Sequence, residues 1–190
     1  MIIDEPTVVK RLIDPMRRTI VNILADQSMT ESQLAKSLGL TESAVGHHLK
    51  SLEAAGLVSI IKREPERHGI IQKFYRSRAL SFIIDARNMP QDISRYFFPT
   101  NIERIRGALS CLSSGDKRQI STAIVEDLSK KFADTIVEVA RGHAEEEVSS
   151  VDRETFTIGL YKEALLMTLN DSDVIPNSKS TGRSLERKVR

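Results

Sequence analysis

Two adjacent histidines, His47 and His48, are the residues whose types first suggest chemistry in this sequence. Imidazole groups bind metal ions and transfer protons, so the pair could belong to a metal site or a catalytic site. Both lie in TESAVGHHLKSLEAAGLV (41–58), where apolar residues recur at helical spacing. Because successive residues on a helix point about 100° apart, the two rings cannot bind one ion together.

The helical period places the two histidines on different sides of a predicted helix at 41–55. Val45, Leu49 and Leu52 fall within about 60° of one another and form its core-facing stripe. His48 borders that stripe, and we expect it to pack against a neighbour. The opposite side is small and polar, and it consists of Ser43, Gly46, His47, Lys50, Ser51 and Ala54. Such a surface fits the DNA major groove, which is about 12 Å wide, and its Ser, Lys and His side chains can donate hydrogen bonds to guanine or phosphate.

A second pair, His143 and Glu146, is spaced so that both residues could face one ion from a helix. A zinc site needs about four ligands, and this pair supplies two of them, so no metal or other cofactor is predicted. Cys111 is the only cysteine, which excludes an intramolecular disulfide. Its apolar context, ALSCL, predicts a buried small side chain.

Strong start and stop signals surround the histidine pair. Asp14 followed by Pro15 predicts the start of a helix in DPMRRTIVNILAD. Thr30 and Gln33 have the capping-box spacing, and Gly39 suits the left-handed position that ends a helix. The helix that Thr30 begins and the helix that carries the histidines are joined by a short turn, which is typical of a helix-turn-helix.

Two extended patterns follow, LVSIIKR and IIQKFYRSR, separated by the turn-rich EPERHG. They predict a β-hairpin, and a hairpin after a helix-turn-helix is the winged-helix arrangement. Residues 59–78 hold six basic residues against two acidic ones, an excess that suits an anionic partner. Arg63, Arg67 and Lys73 are the predicted phosphate contacts of the wing.

Helical patterns return after residue 80. A long helix is predicted at 116–148, with an apolar ridge made of Ile120, Ile124, Leu128, Phe132, Ile136 and Ala140. About 32 residues would span roughly 48 Å, more than one small domain covers, which favours a homodimer. We therefore expect a winged helix-turn-helix DNA-binding domain at 1–80, a helical dimerisation and regulatory region at 81–170, and a disordered basic tail at 171–190. The fold class is mainly α with a small β-hairpin.

Composition limits the function classes. The chain has 190 residues, 40% of them hydrophobic, with a net charge of +2, as in soluble globular proteins. No apolar run approaches the roughly 18 residues of a membrane span, and the acidic start MIIDEPTVVK is unlike a signal peptide, so we expect a cytoplasmic protein without a membrane partner. No Gly-rich phosphate loop, H-E-x-x-H pattern or nucleophile elbow is present, so an enzyme is not predicted.

DPMRRTIVNIL, MTESQLAKSLGLTESAVGHHLKSLEAAGLV and GIIQKFYRSR together resemble the ArsR-type winged-helix transcription regulators, most closely archaeal members with a helical C-terminal extension. The resemblance is specific over about residues 6–80. It implies that the helix at 41–55 reads the major groove, that the hairpin is the wing, and that the protein is a homodimer. Relatives usually carry a larger polar residue where this chain has Gly46, and the cysteine pair of their metal sites is replaced by Ser, Ala and Gly.

The sequence thus predicts a sequence-specific transcription regulator that binds double-stranded DNA as a homodimer. The predicted DNA contacts on the recognition helix are Ser43, Gly46, His47, Lys50 and Ser51. All of them except Gly46 are expected to face bases. Two alternatives stay open: a winged-helix module that binds another protein, and a metal-responsive repressor with a non-standard site. The effector is not predicted.

Overall fold

The structure, a computed structural model, describes residues 1–65, 71–87, 89–112, 121–146, 148–149 and 151–172. The elements run in the order β1 (Ile2–Ile3), α1 (Pro6–Ile13), α2 (Pro15–Asp26), β2 (Met29–Thr30), α3 (Glu31–Leu38), α4 (Glu42–Ala54), β3 (Val58–Pro65), β4 (Ile71–Ser77), β5 (Ile83–Ile84), α5 (Gln91–Ser94), α6 (Phe98–Leu112), α7 (Thr122–Gly142) and α8 (Arg153–Asn170). The chain is mainly α with a small antiparallel sheet, and a winged helix-turn-helix is followed by helices. The predicted fold class is confirmed.

Helices α2 and α3 begin, and α3 ends, at the residues that the sequence signals predicted. Asp14 caps α2 by accepting hydrogen bonds from the N–H groups of Met16 at 2.8 Å and Arg17 at 3.2 Å. Thr30 and Gln33 form the full capping box at the start of α3, since each side chain accepts from the other residue's backbone N–H. Gly39 ends α3 with φ +65°, which a residue with a Cβ adopts at a steric cost.

The wing is larger than a two-stranded hairpin. β4 pairs with β3 on one side and with β2 on the other, both antiparallel. β2 is only two residues long and its pairing joins segments more than forty residues apart, so local sequence patterns do not reveal it. The predicted turn EPERHG falls mostly at 66–70, outside the described residues, and the predicted contact Arg67 lies there too.

Two hydrophobic cores divide the described chain. The first is built from α1 to α4 with the base of the wing and includes the fully buried Leu34, Val45 and Leu52. The second is built from α6, α7 and α8 around Leu128 and Phe132. The short parallel pair β1–β5 connects them, because Ile3 belongs to the first core and Ile83 to the second.

The predicted long helix at 116–148 is wrong in extent. α7 is capped by the Ser121 side chain, which accepts from the Ile124 N–H, and it ends at Gly142 after 21 residues, or about 31 Å. The predicted ridge is buried at Leu128, Phe132 and Ile136, whereas Ile124 is 39% exposed. Ile120 and the predicted cap at 116–119 lie outside the described residues. Because α7 packs between α6 and α8, its length no longer argues for a dimer.

Cys111 is another correction. Its apolar neighbours predicted burial, but the residue is exposed on α6. The side of α6 that meets the second core is marked by Ile105 and Leu109, which are buried. Residue 111 is two positions beyond Leu109, and two positions turn a helix by about 200°, so Cys111 points away from that core. The predicted basic tail lies at 173–190 for the most part, outside the described residues.

Candidate nucleic-acid interface

Helix α4 presents the predicted outward face. Val45, Leu49 and Leu52 are buried with at most 1% exposure, and Ser43, His47 and Lys50 are exposed on the opposite side. The Thr41 side chain caps the helix by accepting from the Ala44 N–H at 3.2 Å. At the other end Gly56 has φ +68°, and the chain turns into β3. Three small or flexible polar side chains therefore stand on one exposed surface of a well-anchored helix.

Two of the predicted face residues lie at its borders instead. Gly46 is half-buried beneath the Glu31 side chain of α3, and a Cβ built at this position would be 2.5 Å from Glu31 Oε1. The glycine therefore lets the Glu31 carboxylate lie across α4, a reason for glycine that sequence periodicity does not show. The Ser51 hydroxyl oxygen is on the other border, where it is buried and has no hydrogen-bond partner among the described residues.

His48 lies towards the core edge, as predicted. Its side chain is 19% exposed, and Nδ1 is 4.0 Å from Asp14 Oδ2 at the start of α2. This nitrogen is buried and forms no hydrogen bond to any described residue. Burial tends to raise the pKa of Asp14, but the Arg17 and Met16 N–H groups and the Arg17 charge outweigh burial and hold that pKa below its usual value. His48 thus faces a carboxylate that stays ionised.

The wing carries two basic side chains directly opposite each other. Arg63 and Lys73 are cross-strand partners, and both are exposed. Because side chains alternate between the faces of a strand, Lys73 lies on the same face as the buried Tyr75. Arg63 and Lys73 therefore extend the core-facing side of the hairpin beyond the edge of the core.

A β-bulge determines which basic residue occupies that face. Ile60 pairs with Tyr75 and Lys62 pairs with Phe74, so Ile61 is the extra residue on β3. Without the bulge, Lys62 would oppose Lys73. With it, Lys62 moves to the other face, where its ammonium lies 5.7 Å from the centre of the Phe74 ring and pairs with Glu64. Sequence alone did not predict this shift in register.

The wing lies beside the start of α4. A concavity of about 410 Å³ separates them, lined by Lys73 and Gln72 from β4, by Glu31 from α3 and by Glu42 from α4. Burial raises the pKa of the Tyr75 phenol, the charges of Glu53 and Glu31 raise it further, and Arg63 opposes them. The surface between wing and helix therefore contains acidic groups as well as basic ones, and sequence periodicity missed Glu31 because it belongs to a different helix.

The described residues contain neither a metal-ligand cluster nor a membrane-spanning helix. Within the described residues, no three His, Cys, Asp or Glu side chains are placed to hold one ion. His143 instead places Nδ1 2.5 Å from Glu146 Oε1 and Nε2 3.0 Å from Glu163 Oε2, on opposite sides of its ring. None of the described helices combines the length and apolar character needed to cross a bilayer.

Comparison with known proteins agrees with this geometry. The sequence model of one family, described as "Bacterial regulatory protein, arsR family", matches residues 14–59. This segment starts at the Asp14 cap, contains α2, α3 and α4, and ends in β3. No curated protein matches the chain. The segment that forms the helix-turn-helix is thus similar to a family of DNA-binding regulators rather than enzymes, and the match supports a role in DNA-binding transcription regulation.

Proposed function

We propose that this protein is a sequence-specific transcription regulator in which α4 enters the DNA major groove and the wing lies along the backbone. The observation that carries the proposal is the exposed polar face of α4, formed by Ser43, His47 and Lys50 on a helix whose opposite side is fully buried. Direct readout of bases needs such a face, with donors on short or flexible side chains. Gly46 and Ser51 sit at its borders and are assigned supporting contacts.

The wing is proposed to hold phosphates. Two like charges directly opposite each other destabilise a hairpin, yet Arg63 and Lys73 occupy such a pair. A phosphate between them would neutralise the repulsion and fix the orientation of the protein on the duplex. Arg67 is assigned to the same role from its position in the sequence, between the two strands.

The proposal includes a homodimer, with 1–80 as the DNA-binding part and 81–170 as the dimerisation and regulatory part. Its support is α8, where Ile158 is 60% and Leu166 is 50% exposed. Eight residues are just over two helical turns, so both side chains lie on one side of α8. A second copy that covers this side would give two recognition helices and a palindromic operator. The closer kinship with archaeal regulators that carry a helical extension belongs to the proposal as well.

In vitro selection tests the proposed function. Purified full-length protein is incubated with a random double-stranded DNA pool, and bound DNA is sequenced over successive rounds. We expect enrichment of an inverted repeat whose half-sites are about one helical turn apart. Affinity for the enriched sequence should fall steeply with salt, because phosphate contacts release counterions. A pool that stays unenriched while the protein remains folded would contradict the proposal.

A further inference from the structure

A cavity of about 760 Å³ lies where the base of the wing meets the helical region. Its volume is within the range of about 300–1,000 Å³ that is typical of small-molecule sites. Residues 78–81, which follow β4, form one wall, and the end of α7 with the first turns of α8 forms the other. Ile83 and Leu160 of the second hydrophobic core border the cavity, and a ligand bound there would contact the segment that follows the wing as well as the helical region.

Apolar side chains form about half of the lining of the cavity. Phe156 and Leu160 come from α8, Ile83 from β5, and Ala140 and Val148 from α7 and the segment after it. Side chains of this kind remove the hydrocarbon or aromatic part of a ligand from water, at about 25 cal/mol for each Å² of apolar surface. Arg78, Ser81, His143, Glu146 and Ser149 add polar groups, so the lining can contact both the apolar and the polar part of an amphipathic ligand.

Only one charged side chain of the lining has no partner among the described residues, and it is Arg78. His143 and Glu146 also line the cavity, but they bind each other, and Glu163 binds the second nitrogen of the imidazole. Both carboxylates raise the pKa of His143, so this cluster keeps its own charges paired. Among the side chains, Arg78 is therefore the counter-charge for an anionic group in the cavity; the Met1 ammonium, whose residue also lines the cavity, donates to the Ser81 carbonyl at 2.8 Å.

Arg78 also lies at the end of the proposed recognition helix. A Cβ built on Gly56 would be 3.7 Å from its guanidinium Nη1, and its backbone N–H donates to the Leu57 carbonyl at 3.0 Å. The last turn of α4 has no basic residue of its own. A cation near a helix C-terminus is stabilising because it faces the negative end of the helix dipole. Arg78, the residue that follows β4, supplies that cation.

From these contacts we infer that the cavity binds a small monocarboxylic acid with an apolar body, held by Arg78 through its carboxylate and by Phe156 and Leu160 through its hydrocarbon. One guanidinium matches one carboxylate through two parallel hydrogen bonds. The ligand would draw Arg78 towards the cavity and away from Gly56, which changes the end of α4. This regulatory consequence rests on the proposed DNA-binding function, whereas the binding site itself does not.

The test of the site uses protein without DNA. Benzoate, phenylacetate and octanoate are each compared with the corresponding primary amide by titration calorimetry. A hydrogen bond to a charged group is stronger than a neutral one by a free energy that corresponds to roughly a tenfold change in dissociation constant. We therefore expect at least one acid to bind about tenfold tighter than its amide. Arg78→Gln should abolish that preference, while Arg106→Gln on the exposed surface of α6 should keep it. Equal binding of every acid and its amide to the parent protein would overturn the inference.

A second pair of variants tests the location. Ala144 lines the cavity and is exposed, so Ala144→Phe fills the space. Ala123→Phe makes the same change at an exposed position on the first turn of α7, outside the lining. Circular dichroism confirms that each variant is folded. We expect only Ala144→Phe to lose acid binding; acid binding as tight as in the parent protein would overturn the location.

The coupling is tested on the operator found by selection. Saturating acid should change operator affinity about tenfold, a typical allosteric coupling, and Arg78→Gln should remove this response. An acid that binds and leaves operator affinity unchanged would overturn the coupling. The two proposals fail separately: acid binding without any selected operator would remove the proposed function and leave the site, and operator binding without acid binding would remove the site alone.

Discussion

At the scale of single residues, the unusual feature of the wing is the unshielded pair Arg63 and Lys73. Neither residue forms an ion pair within 4.0 Å with a described carboxylate, although Glu31 and Glu42 line the same concavity as Lys73. The pair is placed by the bulge at Ile61, which moves Lys62 to the opposite face. Such an arrangement lowers the stability of the hairpin and raises its affinity for anions.

Lys73→Gln separates these two effects. Because the substitution removes a like-charge pair, the free energy of unfolding should rise by about 0.2–1 kcal/mol, measured by urea denaturation. DNA binding should weaken, and the slope of log affinity against log salt should fall by about one unit, since one phosphate contact is lost. The control Lys130→Gln removes an exposed lysine of α7 and should leave the slope unaltered. An unchanged slope in Lys73→Gln would remove this residue from the interface.

Residue-level prediction from sequence succeeded where the signal is local. Asp14 and Thr30 cap their helices because each side-chain oxygen accepts a hydrogen bond from a backbone N–H two or three residues further along the chain. Such a contact depends on neighbouring residues alone, so the sequence reveals it. Prediction failed where a second element decides. Gly46 was placed on the open face of α4, but Glu31 of α3 covers it. The Ser51 hydroxyl turns inward, and Cys111 turns outward.

At the scale of elements, the joint between α7 and α8 carries the clearest titrating group. His143 follows the last residue of α7 and contacts Glu146 at 2.5 Å and Glu163 of α8 at 3.0 Å. Hydrogen bonds to these two carboxylates raise the pKa of His143 above its ordinary value of 6.5. The imidazolium therefore stabilises the folded chain, and the contribution is fully present below pH 6.5.

The pH dependence of unfolding follows from that sign. The stabilisation should be lost as the pH rises from 6.5 through the raised pKa of folded His143, because the neutral ring no longer attracts two carboxylates. Urea midpoints measured across this range should fall for the parent protein more than for His143→Gln. His47→Gln is the control, since His47 is exposed and contacts no carboxylate among the described residues. Parallel curves for the parent and His143→Gln would contradict this account.

Element boundaries show why a periodic pattern can mislead. The apolar pattern of the predicted 116–148 helix is real over Leu128, Phe132 and Ile136, which are buried. Periodicity does not mark where a helix stops, however, and α7 ends at Gly142, six residues before the predicted end. The pairings β2–β4 and β1–β5 could not be predicted either, because their strands are two residues long and their partners are distant in sequence.

At the scale of the whole molecule, Arg153 joins the helical region to the helix-turn-helix. From the first position of α8, its guanidinium donates to the Leu80 carbonyl at 2.6 Å, to Asp26 Oδ1 at 2.7 Å and to Asn22 Oδ1 at 3.1 Å. The two side-chain acceptors, Asp26 and Asn22, belong to α2. The side chain of Arg153 is 20% exposed, so these bonds are partly protected from solvent.

Arg153→Ala should therefore destabilise the chain. Loss of charged hydrogen bonds to backbone and side-chain acceptors predicts a decrease of about 1–3 kcal/mol in the free energy of unfolding, measured by urea denaturation. The matched substitution Arg106→Ala removes an exposed arginine whose ion-pair partner among the described residues is Glu103 on its own helix, and its effect should stay below about 0.5 kcal/mol. Similar losses in both variants would show that Arg153 does not act as a joint.

The proposed dimer is also a whole-molecule property. Ile158→Glu with Leu166→Glu places two charges on the exposed side of α8 and should convert a dimer to a monomer in light-scattering measurements, because burial of unpaired charges is costly. Ile124→Glu is the control, as Ile124 is an exposed apolar residue on α7. A parent protein that is monomeric at every concentration, or a double variant that stays dimeric, would exclude α8 as the contact.

The most direct test of the central claim compares base readout with backbone binding. Affinity for the selected operator and for a scrambled duplex is measured for the parent protein and for the double variant His47→Ala, Lys50→Ala. We predict that the ratio of operator affinity to scrambled-duplex affinity falls about tenfold or more in the variant, since each lost base contact costs about 1–3 kcal/mol of discrimination. It should keep salt-dependent binding to the scrambled duplex, because the wing is intact. A double variant that discriminates operator from scrambled DNA as well as the parent would show that the exposed face of α4 does not read the sequence.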